Sequence, residues 1–260
     1  MRVKFVKMHG AGNDFVMIDD REGTFPAAKA TLAALGARGT GIGCEGIVLV
    51  QRSARADFRM RFFNPDGSEA ELCGNGARCV AAFAREIGAA QSDTMRFETL
   101  AGEIRAEVLR APASSLLVKV WMPRPKGLRE DFVNSGVPHR IVPVADVSRV
   151  DVEDEGRRIR NSAEFAPAGT NVDFATYRPP HDVAIRTYER GVEAETGACG
   201  TGAVATAVVG VAQHGMSFPV RVETVKGYVL EIGGERTGEG FDAVTLTGPV
   251  ARVFDGEIDV

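Results

Sequence analysis

Two stretches of this chain repeat one unusual pattern, in which a cysteine followed directly by glycine opens a strongly apolar segment. It occurs at Cys73 in AELCGNGARCVAAFARE and again at Cys199 in ETGACGTGAVATAVVGVA. Residues 203–212 have no charged face and residues 79–84 are almost wholly apolar, so each segment is expected to be a helix buried on all sides. At about a dozen residues, neither reaches the roughly 20 that span a bilayer. The economical solution is a helix held inside a curved sheet, once in each half of the chain.

The repeat extends upstream. RFFNPDGSEAELCGNGA from Arg61 matches RTYERGVEAETGACGTGA from Arg186 in an aromatic strand, a Glu-Ala-Glu triplet and the Cys-Gly pair. GAGNDF from Gly10 echoes PAGTNVDF from Pro167. Two related domains follow, residues 1–116 and 117–249, with the boundary in the proline-rich region 112–127. Strict alternation at 58–62, 118–122 and 243–247 predicts half-buried strands. Further strands are expected at 4–8, 46–51, 95–99, 104–109, 140–144, 183–188, 220–224 and 228–232. Surface helices are expected at 26–38, opened by proline, and at 152–161. The fold class is therefore α+β, strand-rich, with two pseudo-symmetric domains, each a sheet around a central buried helix.

Composition narrows the class of function. With 44% hydrophobic and 25% charged residues the chain can bury a substantial core. Its 31 basic residues are scattered and the net charge is −4, which argues against nucleic acid and favours a small polar ligand. The start, MRVKFVKMHG, lacks the apolar core of a signal peptide, and no stretch is long enough to span a membrane, so the expected compartment is the cytoplasm. Four cysteines in 260 residues form neither a disulfide framework nor paired CxxC zinc ligation.

Free thiols remain, and two of them stand at glycine-rich helix starts. Unpaired first-turn amides and the helix dipole are expected to make each thiol ionise more easily than a free one. Thiols from two domains can address opposite faces of one carbon, one taking a proton and the other returning one. Inversion at the α-carbon of an amino acid needs stabilisation of developing negative charge, which helix N-termini supply. No metal cluster and no pyridoxal phosphate are required. A Schiff-base lysine stays an alternative on residue type alone, although no cofactor motif surrounds any lysine.

Other residues carry plainer readings. Cys79, inside the apolar helix, and Cys44, in the glycine-rich loop 39–46, read as packing and loop residues. His139 is either a pocket residue or a loop histidine. Asn13 and Asn171 alone read as turn formers, and Glu189-Arg190 alone as a solvated pair.

Taken together, MHGAGNDF, FNPDGSEAELCGNGARC, NVDF and YERGVEAETGACGTGA resemble the diaminopimelate epimerase family across most of the chain. The resemblance implies that family's pseudo-symmetric fold, with a C-terminal strand at 250–260 returning to the first domain. It implies cofactor-independent epimerisation of LL- to meso-diaminopimelate, a lysine and peptidoglycan precursor. Cys73 and Cys199 would be the acid/base pair. Gly74, Asn75, Gly200 and Thr201 match positions that hold the reacting carboxylate, and Asn13, Asn64, Asn171, Glu189 and Arg190 match positions that bind substrate. A homodimer follows by analogy. Val137 and Gly46 depart from the family, whose members often carry asparagine and glutamine there. Those departures keep open a racemase of another amino acid, such as histidine, on the same fold. A binding protein that holds an amino acid without turning it over is the non-enzymatic alternative. Related proline racemase-like enzymes also use two cysteines, whereas a phenazine-biosynthesis-like group lacks the pair.

Overall fold

The computed structural model describes residues 1–110, 116–238 and 240–260. The start of the proline-rich boundary region, 112–115, therefore lies outside the described residues. Two compact units emerge, Met1–Val120 with Gly248–Val260, and Trp121–Thr247.

In the first unit, β1 (Arg2–Gly10) and β2 (Asn13–Asp19) form a hairpin, α1 (Lys29–Gly36) crosses over, and β3 (Gly46–Gln51) lies parallel to β2. Next come β4 (Phe58–Phe63), the two-residue β5 (Glu69–Ala70) and α2 (Gly74–Glu86). Then β6 (Thr94–Thr99) runs parallel to β4, followed by β7 (Gly102–Arg110) and β8 (Leu116–Trp121). Each parallel pair brackets a helix, as a crossover requires, and the remaining pairs are antiparallel.

The second unit repeats this order. After β9 (Lys126–Arg129) and β10 (Phe132–Asn134), β11 (Pro138–Pro143) and β12 (Asn171–Arg178) are parallel partners joined through α3 (Val152–Arg160). β13 (Asp182–Glu189) and β15 (Val220–Glu223) are parallel partners joined through β14 (Ala194–Thr196) and α4 (Gly200–Gln213). β16 (Val229–Thr237) and β17 (Gly240–Asp259) close the order. The long β17 pairs with β16 up to Thr247 and, from Val250 onward, runs antiparallel to β1. The sequence shows it only as pieces at 243–247 and 250–260.

Each sheet is covered by a helix on both faces. Val16, Ile18, Ile47 and Leu49 pack with Leu32 and Leu35 of α1, which leaves the alternate side chains for α2. Val172, Phe174 and Tyr188 pack with Val152 of α3, so Asn171, Asp173 and Thr187 point toward α4. Strands covered on both faces read as apolar runs rather than alternation. That is why β2, with its run Phe15–Ile18, escapes a reading based on periodicity.

The expected helix at 26–38 is shorter. Ala28 is extended (φ −70°, ψ 141°) and its N–H meets the Pro26 carbonyl at 2.8 Å, so proline belongs to the preceding turn. The buried helices begin at Gly74 and Gly200, one residue past each cysteine, and α2 is less apolar than expected because Arg78 lies fully buried within it.

Candidate active site

Both cysteines occupy the same local geometry. Cys73 (φ −126°, ψ 119°) and Cys199 (φ −109°, ψ 111°) are extended N-cap residues. Their carbonyls take the first helical bonds, from Ala77 N–H at 2.7 Å and Ala203 N–H at 3.0 Å.

In the first unit, Cys73 Sγ lies 3.7 Å from Asn13 Oδ1, which also accepts from Asn75 Nδ2 at 3.1 Å. Asn75 Oδ1 in turn accepts from Arg78 Nη2 at 2.9 Å, and Asn13 Nδ2 donates to Glu45. Asn13 reaches this position because the β1–β2 turn uses two residues with positive φ, Ala11 (54°) and Gly12 (79°). Gly10 lets the strand approach α2, since a Cβ there would lie 3.0 Å from the Asn75 carbonyl oxygen and 3.3 Å from Arg78 Nη2. Burial lowers the Arg78 pKa to about 10, while attraction to the ionised forms of Cys79 and Cys73 opposes the drop. The guanidinium stays charged at neutral pH, and its Nε lacks a hydrogen-bond partner. Asn64 is placed differently from the other expected site residues. It closes its own turn, with Nδ2 on Ser68 Oγ at 3.1 Å.

In the second unit, Cys199 Sγ is 3.4 Å from Thr201 Oγ1, and Thr201 Oγ1 is 3.0 Å from His139 Nε2. The other ring nitrogen, Nδ1, lies 2.6 Å from Asp173 Oδ2, while Asp173 Oδ1 accepts from the Thr187 hydroxyl at 2.7 Å. Asn171 bridges the site, its Nδ2 3.3 Å from His139 Nε2 and its Oδ1 accepting from the Arg190 backbone N–H at 2.7 Å. The Arg190 side chain donates to the Ala168 carbonyl at 3.2 Å. Gly202 is required here: a Cβ would lie 2.4 Å from Asp173 Oδ1.

The expectation of easier ionisation fails at Cys199. Burial pushes that thiol well above its ordinary value, the charges of Glu189 and Asp173 push the same way, and bonds from Thr201 and the Gly202 amide only partly oppose them. A helix N-terminus does not outweigh nearly complete desolvation beside two carboxylates. Cys79 is likewise pushed up to about 12 by burial. The two half-sites therefore differ in sign, with a buried guanidinium near Cys73 and carboxylates near Cys199.

Asp173 and Arg78 went unread in the sequence, and His139 was left open. A charged residue within an apolar helix start was a visible signal for Arg78, whereas nothing in NVDF separates a buried carboxylate from an exposed one. Of the two departures from the family pattern, Gly46 packs against rings, where a Cβ would lie 2.4 Å from Phe62 Cε2. Val137 sits half-buried in the β10–β11 turn, where the Ser135 hydroxyl donates to the Thr201 carbonyl at 2.8 Å. Among the described residues, no group of three His, Cys, Asp or Glu side chains comes together to hold a metal ion. No helix among the described residues is long and apolar enough to cross a membrane.

The family model described as Diaminopimelate epimerase matches residues 5–125 and 132–253. The chain belongs to the diaminopimelate epimerase family. Among family members, it is 42% identical to diaminopimelate epimerase of Aquifex aeolicus, covering 98% of each chain. It is 41% identical to the protein of that name from Archaeoglobus fulgidus, with 98% of this chain and 96% of the relative covered. Solved structures share the family's fold at low identity. A PhzF-family phenazine biosynthesis protein of Bacillus anthracis superposes with a TM-score of 0.77 at 17% identity, over 100% of both chains. A probable proline racemase of Agrobacterium radiobacter gives 0.71 at 15% identity, covering 99% of this chain and 93% of that one.

Proposed function

We propose that the chain is an isomerase that interconverts LL- and meso-2,6-diaminopimelate without an organic cofactor, with Cys73 and Cys199 as its acid/base pair. The observation that carries this reading is the repeated one: in a chain of this family, each unit ends a matching strand order in a cysteine that N-caps a buried helix. Each thiol serves one face of the α-carbon. Cys199, held protonated by burial and by carboxylates, starts as the proton donor, and Cys73, with a guanidinium behind it, starts as the base. In the reverse direction the roles exchange. First-turn amides at Gly74 and Gly200, together with Asn75 and Thr201, are assigned to the reacting carboxylate as its α-carbon gains negative charge.

Substrate contacts are assigned to Asn13, Asn64, Asn171, Glu189 and Arg190. Arg190 suits a carboxylate and Glu189 an ammonium group, so a ligand with an amino-acid group at each end satisfies both. Lysine would leave the Arg190 guanidinium without a carboxylate, which disfavours it. Cytoplasmic location and a homodimer belong to the same reading, and the exposed Val253 and Phe254 on β17 are apolar surface that a second copy would cover.

Purified protein offered diaminopimelate, lysine, histidine and proline in deuterated water tests the assignment. The expected result is meso-diaminopimelate formation with deuterium at the inverted carbon, faster than exchange on the other three. Faster racemisation of histidine or lysine would overturn the substrate. Tight binding of diaminopimelate with no α-hydrogen exchange would overturn catalysis.

A further inference from the structure

Glu189 and Arg190, the pair assigned to the far end of the substrate, stand where β13 turns into β14. That turn is tight. Glu189 opposes Ala194 across the hairpin, the Glu193 N–H donates to the Glu189 carbonyl at 2.8 Å, and both Gly191 (φ 94°) and Glu193 (φ 59°) lie in the left-handed region. A residue with a Cβ is disfavoured there, and the contacts of the Glu193 side chain offset that cost.

The Glu193 carboxylate is filled by the protein itself. Oε1 accepts from the Gly191 N–H at 3.0 Å and from Nε and Nη2 of Arg160, both at 3.0 Å, while Oε2 accepts from the Tyr188 hydroxyl at 3.3 Å. The Gly191 amide, with Arg160 and Tyr188, holds the carboxyl below the ordinary carboxylate range against slight desolvation, so it is ionised at neutral pH. These four donors use the roughly four lone-pair sites of a carboxylate, so Glu193 serves the protein rather than a ligand.

Arg160 supplies the other half of the support. It comes from the last turn of α3, and its side chain is only 18% exposed. Besides gripping Glu193 it lies against Gly169, where a Cβ would stand 1.9 Å from Nη1. The Ala168 and Gly169 carbonyls receive the Arg190 side chain at 3.2 and 3.5 Å, and Asn171 Oδ1 receives the Arg190 N–H at 2.7 Å. The Arg160–Glu193 pair therefore stands behind both segments that hold Arg190, the turn it belongs to and the loop it leans on.

We propose that Glu193 and Arg160 are positioning residues for Arg190: bridged to each other, they clamp the β13–β14 turn to the loop before β12, so that the Arg190 guanidinium is held ready for a carboxylate at the far end of the substrate. The inference rests on the assignment of Arg190 to that carboxylate and deepens it. On an unsupported turn the guanidinium would be ordered only by the ligand, at the expense of affinity. Because the far end is remote from the reacting carbon, the clamp is read mainly in KM.

Glu193→Gly separates the side chain from the turn, since glycine accepts a φ of 59° and only the carboxylate is lost. A purely structural role for Glu193 predicts little effect on KM in this variant. The clamp predicts that KM for LL-diaminopimelate and the calorimetric Kd for meso-diaminopimelate both rise about tenfold, the loss of one charged hydrogen bond, while kcat stays within about threefold. Glu193→Gln keeps an accepting oxygen for Arg160 and Gly191 and should stay near the native values. Arg160→Ala should match Glu193→Gly, and the double variant should be no weaker than either alone, because each removes the same clamp. In an Arg190→Ala background, Glu193→Gly should add nothing further. Unchanged KM and Kd in folded Glu193→Gly, equal losses in Glu193→Gly and Glu193→Gln, or a further loss in the Arg190→Ala background would overturn the proposal. Should Arg160→Ala fail to fold, the Glu193 and Arg190 variants carry the test. If the native protein binds meso-diaminopimelate and the variants weaken binding as expected, yet no epimer forms, the clamp stands and the assigned reaction fails. If the native protein binds no diaminopimelate, both fail.

Discussion

Cys79 sits inside α2 with its thiol pushed up to about 12, chiefly by burial, with Arg78 pulling it back. In the unfolded chain the same thiol titrates near its ordinary value of 9.0. As pH rises above that value the unfolded state releases a proton that the folded state retains, so stability present at neutral pH is lost between about pH 9 and 12. The loss approaches about 1.4 kcal/mol per pH unit for each such group. Cys199 adds to it in the same direction. Thermal melts from neutral pH to pH 10 should show the native protein losing stability faster than Cys79→Ala, and parallel curves would contradict the assigned burial effect. At this scale the sequence was legible where motif and chemistry coincided, as at Cys73 and Cys199. It was illegible where burial decides, because only the packing of β12 and β13 against α4 brings Asp173 and Glu189 to bear on Cys199.

Among the elements, the close approaches are made by glycines. Gly46 on β3 has Phe62 and Phe15 rings where its Cβ would go, at 2.4 and 3.1 Å, so the glutamine often found there in relatives would clash in this packing. Gly46→Gln should destabilise by about 1–3 kcal/mol or more, the usual cost of overpacking, as a lowered melting temperature. An unchanged melting temperature would show that the rings move aside at little cost. Helix α3 offers a separate test, since Asp151 caps it by accepting from the Asp154 N–H at 3.1 Å. Asp151→Ala should cost about 1 kcal/mol without altering kcat. Strands with one wet face, such as β4 and β8, were visible from alternation. β2 was not, because a helix on each face leaves it an apolar run, and β12 was not, although NVDF alternates, because its polar residues turn toward α4 rather than water; these two strands carry Asn13, Asn171 and Asp173.

On the scale of the whole molecule, the duplication read from Cys-Gly and Glu-Ala-Glu reappears as a repeated order of strand, helix and parallel strand in both units. The sequence could not show that β17 is one strand serving both units in turn, because its pairing partners lie more than two hundred residues away along β1. The central claim is that one thiol from each unit is needed for a single inversion. Cys73→Ala and Cys199→Ala, each confirmed as folded by its melting curve, should be incubated with LL-diaminopimelate in deuterated water beside the native protein. The native protein should form meso-diaminopimelate carrying deuterium at the inverted carbon. Each variant should form none, even if it exchanges the α-hydrogen slowly with retention. Full epimerisation by Cys199→Ala would contradict the two-thiol mechanism outright.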